Sequence, residues 1–188
     1  MTDEARSLLD LLDRYRPAGS AEAADVARLR EAADKDLWSR SGPLHVTASA
    51  LVVHEPSRRV LLRWHDRMQA WMQVGGHFDP GESDPLLVAL REAEEETGLS
   101  DLTVAPGTRG QPVQIVIVPV AAGRGEPAHE HADIRYVLAT TTPDAAVPES
   151  EGAHVRWLGF DEAHALVHED NLLELLRRVA GALKWRES

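Results

Sequence analysis

Residues 76–99 read GHFDPGESDPLLVALREAEEETGL, and the second half of this stretch has the pattern of a helix. Asp84 is a residue type that caps helix N-termini, and Pro85 suits the first helical position. The apolar residues that follow recur at three- and four-residue spacing, which places them on one stripe of a helix. They are Leu86, Ala89, Leu90 and Ala93. We therefore expect a helix that begins near residue 85 and packs through that stripe.

The same helix carries acidic side chains on a different face. Residues three and four apart lie on one side of a helix, so Glu92, Glu95 and Glu96 converge. Glu94 points elsewhere. Clustered carboxylates repel one another unless a cation neutralises them, and an all-oxygen ligand set suits Mg²⁺ or Mn²⁺. An acidic run by itself is typical of a solvated helix face, so a metal site depends on the surrounding residues as well.

The surrounding residues complete a longer motif. Gly76 is followed after five residues by Glu82, and then come Arg91–Glu92, Glu95–Glu96 and Gly98–Leu99. This arrangement resembles the box of the Nudix family, G-x5-E-x7-R-E-U-x-E-E-x-G-U, in which U is a bulky aliphatic residue. The chain departs from the pattern twice, because eight residues rather than seven separate Glu82 from Arg91 and the small Ala93 occupies the first U position. The extra residue falls around 83–85, before the helix, so the register of the helical glutamates is unchanged.

The resemblance implies a fold and a chemistry. The fold is α/β, an α/β/α sandwich with a mixed β-sheet, here with an N-terminal helical extension. In this family divalent metal ions on the box helix bind a diphosphate while water attacks one phosphorus, so the implied cofactor is Mg²⁺ or Mn²⁺. We therefore expect a pyrophosphohydrolase that cleaves a nucleoside diphosphate linked to another moiety, with a small-molecule nucleotide or other diphosphate as its partner.

The resemblance also implies roles for individual residues. The implied metal ligands are Glu92, Glu95, Glu96 and the carbonyl of Gly76. Glu82 and Arg91 would complete the catalytic set, because an ion pair between them can orient Glu92 or hold the loop to the helix. Gly75 and Gly76 would allow the backbone to approach metal or phosphate closely. A simple strand-end turn is the alternative explanation of the two glycines.

The motif leaves the general base open. In this family the base is either a box glutamate or an acidic residue from a loop outside the box. The downstream candidates are Glu126, Glu130, Asp133, Glu149 and Glu151. The sequence does not rank them.

A second polar cluster lies at residues 129–136, which read HEHADIRY. Alternate residues of a strand face the same side, so His131, Asp133 and Arg135 would share one face. Three interpretations of that face stay open: a substrate-binding wall, an additional metal site, or the solvated side of an edge strand. His77 and Arg63 are further candidates for substrate binding.

The composition limits the kinds of partner that the chain is expected to bind and the cellular compartment in which it is expected. The chain has 188 residues, a net charge of −11 and scattered arginines, so it lacks the basic stripe that a nucleic-acid polymer requires. It has neither the blocks of a signal peptide nor an apolar run of membrane-spanning length, which favours a cytoplasmic location without membrane contact. With no cysteine, disulfides and thiolate metal sites are excluded.

Two other functions on the same fold are less favoured. Diphosphate isomerases of this fold depend on a catalytic cysteine, which the chain lacks. Non-catalytic nucleotide-sensing modules generally lose box glutamates, and all of these are present here. Hydrolysis therefore remains the leading hypothesis.

The chain is expected to divide near residue 44. Residues 1–44 predict a helical extension, with helices near 3–16 and 21–35 and Ser20 as the cap of the second. This pair is expected to pack either against the domain or against a second subunit, which would make a homodimer. Residues 45–188 are the predicted Nudix domain. Its expected strands are 45–54, 60–64, 71–74, 113–120, 132–141 and 155–158, and its helices beyond the box helix are 161–167 and 170–185.

Overall fold

The computed structural model describes residues 2–123 and 125–185. Residues 1, 124 and 186–188, the last three within the predicted domain, lie outside the described residues. The helices are α1 (Asp3–Arg14), α2 (Ser20–Glu31), α3 (Pro85–Thr97), α4 (Phe160–Leu166) and α5 (Asp170–Ala182). The strands are β1 (Leu44–His54), β2 (Arg59–His65), β3 (Ala70–Met72), β4 (Val74–His77), β5 (Thr103–Val104), β6 (Gln114–Val120), β7 (His129–Ala139) and β8 (Val155–Gly159). None of the described helices has the length and apolarity needed to cross a membrane.

The strands form one mixed sheet around β1. This strand pairs in parallel with β7 and antiparallel with β2 and β4. β7 also pairs antiparallel with β5 and β6, and β2 pairs antiparallel with β3 and β8. The interpretation of residues 131–136 as a solvated edge strand is therefore wrong, because β7 has strands on both sides.

Two apolar cores lie on the two faces of this sheet. Alternate residues of β1 serve each core, with Ala48 and Ala50 on one face and Leu51 and Val53 on the other. The first core includes residues of α1, α2 and α3, and the second includes residues of α4 and α5. The predicted α/β/α sandwich with a mixed sheet is confirmed.

The N-terminal helices pack on the sheet of their own chain. Their buried apolar residues in the first core are Leu8, Leu12, Val26 and Leu29. α2 also covers β6, where Glu22 accepts a hydrogen bond from the N–H of Ile115 at 3.0 Å. Asp25 accepts one from the N–H of Ile117 at 3.0 Å. These two carboxylates satisfy N–H groups that an edge strand would otherwise leave unpaired.

Several elements differ from the sequence prediction, among them β7, which covers His129–Ala139 rather than 132–141, and α5, which ends at Ala182 rather than at 185. Gly19 rather than Ser20 is the N-cap residue of α2, and that helix ends at Glu31. The predicted strand at 71–74 is two strands separated by Gln73, because β3 pairs with β2 whereas β4 pairs with β1. β5 is missing from the prediction, since a strand of two residues is too short to show a period.

Candidate active site

The box helix α3 is fixed at both ends and along one face. The Asp84 side chain accepts a hydrogen bond from the N–H of Leu86 at 2.9 Å, and Pro85 is the first helical residue. Gly98 ends the helix with φ at 66°, in the left-handed region that favours glycine. The buried apolar residues of the helix are Val88, Ala89 and Ala93, with Leu86 and Leu90 packed partly buried against the same core. The predicted start of the helix and its apolar stripe are confirmed.

Glu92 and Glu96 lie against the glycine pair of β4. The N–H of Gly75 donates to a carboxylate oxygen of Glu96 at 3.1 Å. A Cβ on Gly76 would stand 2.5 Å from the Glu92 carboxylate. A Cβ on Gly75, whose φ is 149°, would stand 2.4 Å from the Cβ of Ser49. The absence of side chains at both glycines therefore allows β4 to approach the helix and β1 closely, so the pair is more than a strand-end turn, and the expected approach to metal or phosphate stays a prediction.

Arg91 joins the preceding loop to the acidic face of the helix. Its guanidinium donates to both carboxylate oxygens of Glu82, at 2.8 and 2.9 Å. It also donates to Glu92 at 2.9 Å, to Glu95 at 3.1 Å and to the backbone carbonyl of His77 at 2.9 Å. The hydrogen bonds from Arg91 lower the pKa of Glu82, and those to Glu82 raise the pKa of Arg91. The bidentate pair forms despite the extra loop residue.

The box carboxylates have different surroundings. Glu96 is buried, and this burial raises its pKa to about 7. Burial also raises the pKa of Glu92. The Glu95 side chain is 57% exposed, and Glu94 is exposed on another side. Carboxylates that lose water next to each other favour a neighbouring cation, and an all-oxygen donor set fits Mg²⁺ or Mn²⁺.

A cleft of about 240 Å³ lies beside the glycine pair, with Glu96 in its wall. The substrate-binding candidates from the sequence all line it: Arg63, His77, His131, Asp133 and Arg135. It is also lined by three polar residues that the sequence analysis missed, Thr47, Ser49 and Gln73. The structure thus gathers the predicted substrate residues around one opening next to the box helix.

Asp133 and Arg135 form a buried ion pair in the wall of the cleft. The Nε of Arg135 donates to Asp133 at 2.7 Å, and the two side chains are 2% and 8% exposed for Arg135 and Asp133 respectively. Asp133 also accepts hydrogen bonds from three neutral side chains, those of Thr47, Ser49 and Gln73. Arg135 donates further to the side chains of Gln114 and Asn171. Because these bonds occupy the carboxylate oxygens, Asp133 is poorly placed to take a proton from water.

Glu149 is one of the downstream carboxylates considered as a general base. Within the described residues, it is the candidate that an arginine connects to the box helix α3. Arg63 donates to Glu96 at 3.1 Å and also to Glu149. The other candidates have different surroundings: Glu126 pairs with Arg67, Glu130 with Arg28 and Asp133 with Arg135, while Glu151 is exposed. The geometry therefore ranks Glu149 first, which the sequence alone does not do.

Two buried polar atoms of the cleft residues have no hydrogen-bond partner within the described ranges. They are the Nε of Arg63, a donor, and the Oε1 of Gln73, an acceptor. Leaving such groups unpaired costs free energy, so a side-chain rearrangement that satisfied them would be favourable. In the sequence, the one feature that points to Gln73 as a site residue is its position immediately before Val74 and the glycine pair.

Four histidines adjoin the cleft. The register of β1 with β4 and β7 places His45, His77, His129 and His131 on one face of three adjacent strands. Burial lowers the pKa of His77 to about 4 and that of His131 to about 3, so both rings are neutral at neutral pH. Burial also lowers the pKa of His45. His45 could not be identified from the sequence, because its proximity to His131 depends on the pairing of β1 with β7.

Comparison with known proteins agrees with this architecture. The sequence model of the NUDIX domain family matches residues 43–179. A protein of Lactococcus lactis described as a probable DHNTP pyrophosphohydrolase is 28% identical over 145 residues, which cover 74% of this chain and 84% of that protein.

Two solved structures have a similar fold. An Ap4A hydrolase of C. elegans in a binary complex has a TM-score of 0.58 at 19% identity, covering 74% of this chain and 97% of that one. The dihydroneopterin triphosphate pyrophosphohydrolase of E. coli has a TM-score of 0.54 at 19% identity, covering 73% of this chain and 94% of that one. At 19% identity, these two matches show a similar fold and no more than that.

Proposed function

Because the chain belongs to the Nudix family, we propose that it is a pyrophosphohydrolase, which hydrolyses a diphosphate bond in a nucleoside diphosphate linked to another moiety. We propose further that the reaction depends on Mg²⁺ or Mn²⁺. The observation that carries the proposal is the contact of Glu92 and Glu96 with the glycine pair, next to a cleft with polar walls.

The box residues fit a divalent metal by their chemistry. The candidate ligands are Glu92, Glu95, Glu96 and the carbonyl of Gly76, all of them oxygen donors. When bound, the metal neutralises the oxygens of the diphosphate and acidifies a water molecule. Arg91 and Glu82 act on the protein side, because their bidentate pair fixes the guanidinium that contacts Glu92.

We assign the role of general base to Glu149. Arg63 contacts both this carboxylate and Glu96, which holds Glu149 beside the acidic face of α3. A base in this position would accept the proton of the attacking water. Glu126 offers a matched control, because it is also a partly exposed glutamate that pairs with an arginine but that arginine, Arg67, does not line the cleft.

The walls of the cleft suit the polar part of the substrate. Arg63 brings a positive charge to the wall and Gln73 a polar amide, and each suits a polar or phosphorylated ligand. His77 and His131 line the same opening. In this proposal the buried pair of Asp133 and Arg135 shapes the wall.

The experiment that tests the proposal is a substrate panel assayed for released phosphate. The panel contains nucleoside diphosphates linked to sugars, cofactors or nucleotides, with Ap4A and dihydroneopterin triphosphate included because similar proteins are named for them. Each compound is assayed with and without added pyrophosphatase or phosphatase, in Mg²⁺, in Mn²⁺ and in EDTA. We expect turnover in metal that disappears in EDTA, and the auxiliary enzymes identify the bond that is cleaved.

Two results would contradict the proposal. Full turnover in EDTA would exclude the metal-dependent mechanism. Tight binding of nucleotides without turnover of any panel member would favour the alternative, a nucleotide-sensing module.

A further inference from the structure

The four histidines beside the cleft form a second cluster of metal-ligand atoms, separate in chemistry from the box carboxylates. Three rings from three adjacent strands, those of His45, His77 and His131, direct one nitrogen each into a common space, with these ligand atoms within 4.8 Å of one another. We propose that these three histidines bind a transition metal ion of the Zn²⁺ type. Imidazole nitrogens suit Zn²⁺, Co²⁺ and Ni²⁺, whereas Mg²⁺ prefers oxygen.

Two of the three separations between the nitrogens match a tetrahedral metal site. Zn–N bonds of about 2.0–2.1 Å at tetrahedral angles place two ligand nitrogens about 3.3 Å apart. The Nε2 of His77 lies 3.1 Å from that of His45 and 3.3 Å from that of His131. These two separations already suit one ion, and the ligand atoms of His45 and His131 lie within 4.8 Å of each other.

The backbone fixes which nitrogen of His45 can act as the ligand. Its Nδ1 lies 3.1 Å from the carbonyl oxygen of Gly42. A carbonyl oxygen only accepts hydrogen bonds, so Nδ1 carries the hydrogen and Nε2 keeps its lone pair. A hydrogen bond from the non-ligating nitrogen to a backbone carbonyl is the usual support of a metal-bound histidine.

His129 has the same arrangement and supplies a fourth nitrogen. Its Nδ1 lies 2.8 Å from the carbonyl oxygen of Pro127, which leaves the lone pair on Nε2. That Nε2 lies 3.1 Å from the Nε2 of His131. His129 therefore stands beside His131 as the candidate for the fourth position of a tetrahedral site.

The rings also lie in a setting that suits metal binding. His45 is buried, and His77 and His131 are partly buried. β1, which carries His45, pairs with both of the other strands that carry them, β4 on one side and β7 on the other. A metal held here would tie these strands together at the wall of the cleft.

The test is a metal titration that does not use enzymatic activity. Protein freed of its purification tag and stripped with chelator is titrated with Co²⁺ in a large excess of Mg²⁺, which occupies the oxygen ligands. We expect one equivalent of Co²⁺ to bind, with the visible absorption of a tetrahedral nitrogen-coordinated ion, and Zn²⁺ to displace it. His131→Ala should lower the affinity for Co²⁺ by at least about 10–100-fold. Loss of a residue that merely hydrogen-bonds to a metal ligand already has an effect of that size.

Variants separate this site from others in the chain. His168→Ala, a change at an exposed histidine outside the cluster, should bind Co²⁺ like the wild type. Glu96→Gln should also retain the Co²⁺ site, so the outcome does not depend on the hydrolase mechanism. His129→Ala should weaken binding less than His131→Ala. Circular dichroism verifies folding, and if His131→Ala does not fold, His77→Gln takes its place as the ligand variant.

Three results would overturn the proposal. The first is wild-type protein that binds no stoichiometric Co²⁺, which would leave a cluster of histidines hydrogen-bonded to one another. The second is a folded His131→Ala or His77→Gln variant that binds as tightly as the wild type. The third is a folded Glu96→Gln variant that loses the Co²⁺ spectrum, which would assign the ion to the box carboxylates.

Discussion

Replacing Asp133 by asparagine removes one charge from the cleft wall while keeping the shape of the side chain. The change leaves the Arg135 guanidinium, with a side chain only 2% exposed, without its charged partner at 2.7 Å. Removing one member of a buried ion pair costs about 3–5 kcal/mol, because the other charge remains out of water. For a chain of this size each kcal/mol shifts the melting temperature by roughly 2–4 °C. We therefore expect Asp133→Asn to lower the melting temperature by about 6–20 °C.

The assay is equilibrium urea unfolding together with thermal melting, and the chain offers a matched control. Asp13 pairs with Arg30 at 2.6 Å, but these side chains are 64% and 42% exposed. Asp13→Asn should therefore cost below ~1 kcal/mol. The double variant Asp133→Asn/Arg135→Gln should be more stable than the two single losses predict, since it leaves no unpaired charge. Equal effects of Asp133→Asn and Asp13→Asn would refute the argument that the pair is buried.

Three further changes test other contacts. Gly76→Ala should reduce kcat by more than about tenfold with a small loss of stability, because the new Cβ stands 2.5 Å from the flexible end of Glu92. Glu149→Gln should lower kcat by about 10²–10⁴-fold if Glu149 is the base. The control variant, measured in the same assay, is Glu126→Gln. Asp101→Asn should lower the melting temperature at about pH 7, because the hydrogen bond from the Thr140 hydroxyl holds the pKa of Asp101 well below its usual range. That difference should shrink as the pH falls below about 3.9, where the unfolded carboxyl takes up its proton and the folded one does so only later.

The parts of the structure that follow from local chemistry could be predicted from the sequence. Asp84 and Pro85 start the box helix where their residue types place them. The ion pair between Glu82 and Arg91 also forms as predicted, because the extra residue falls in a loop that can absorb it.

The parts that depend on distant strand pairing could not be predicted. His45 and His131 are partners only because β1 pairs with β7 in one register, and a single sequence does not specify that register. The alternation in residues 131–136 correctly placed His131, Asp133 and Arg135 on one face, yet it gave no sign that the strand lies inside the sheet. Gln73 was missed for the same reason, since its contact with Asp133 spans two strands.

In the proposed mechanism one face of α3 holds the metal, and the kcat values of single box variants test this most directly. Glu92→Gln, Glu95→Gln and Glu96→Gln should each lose about 10²–10³ or more in kcat, the cost of removing one comparable electrostatic group. Glu94 is exposed on another side of the same helix, so Glu94→Gln should stay within about threefold of the wild type. If folded Glu94→Gln protein were as impaired as folded Glu96→Gln protein, the helix register and the assignment of the metal face would both be contradicted.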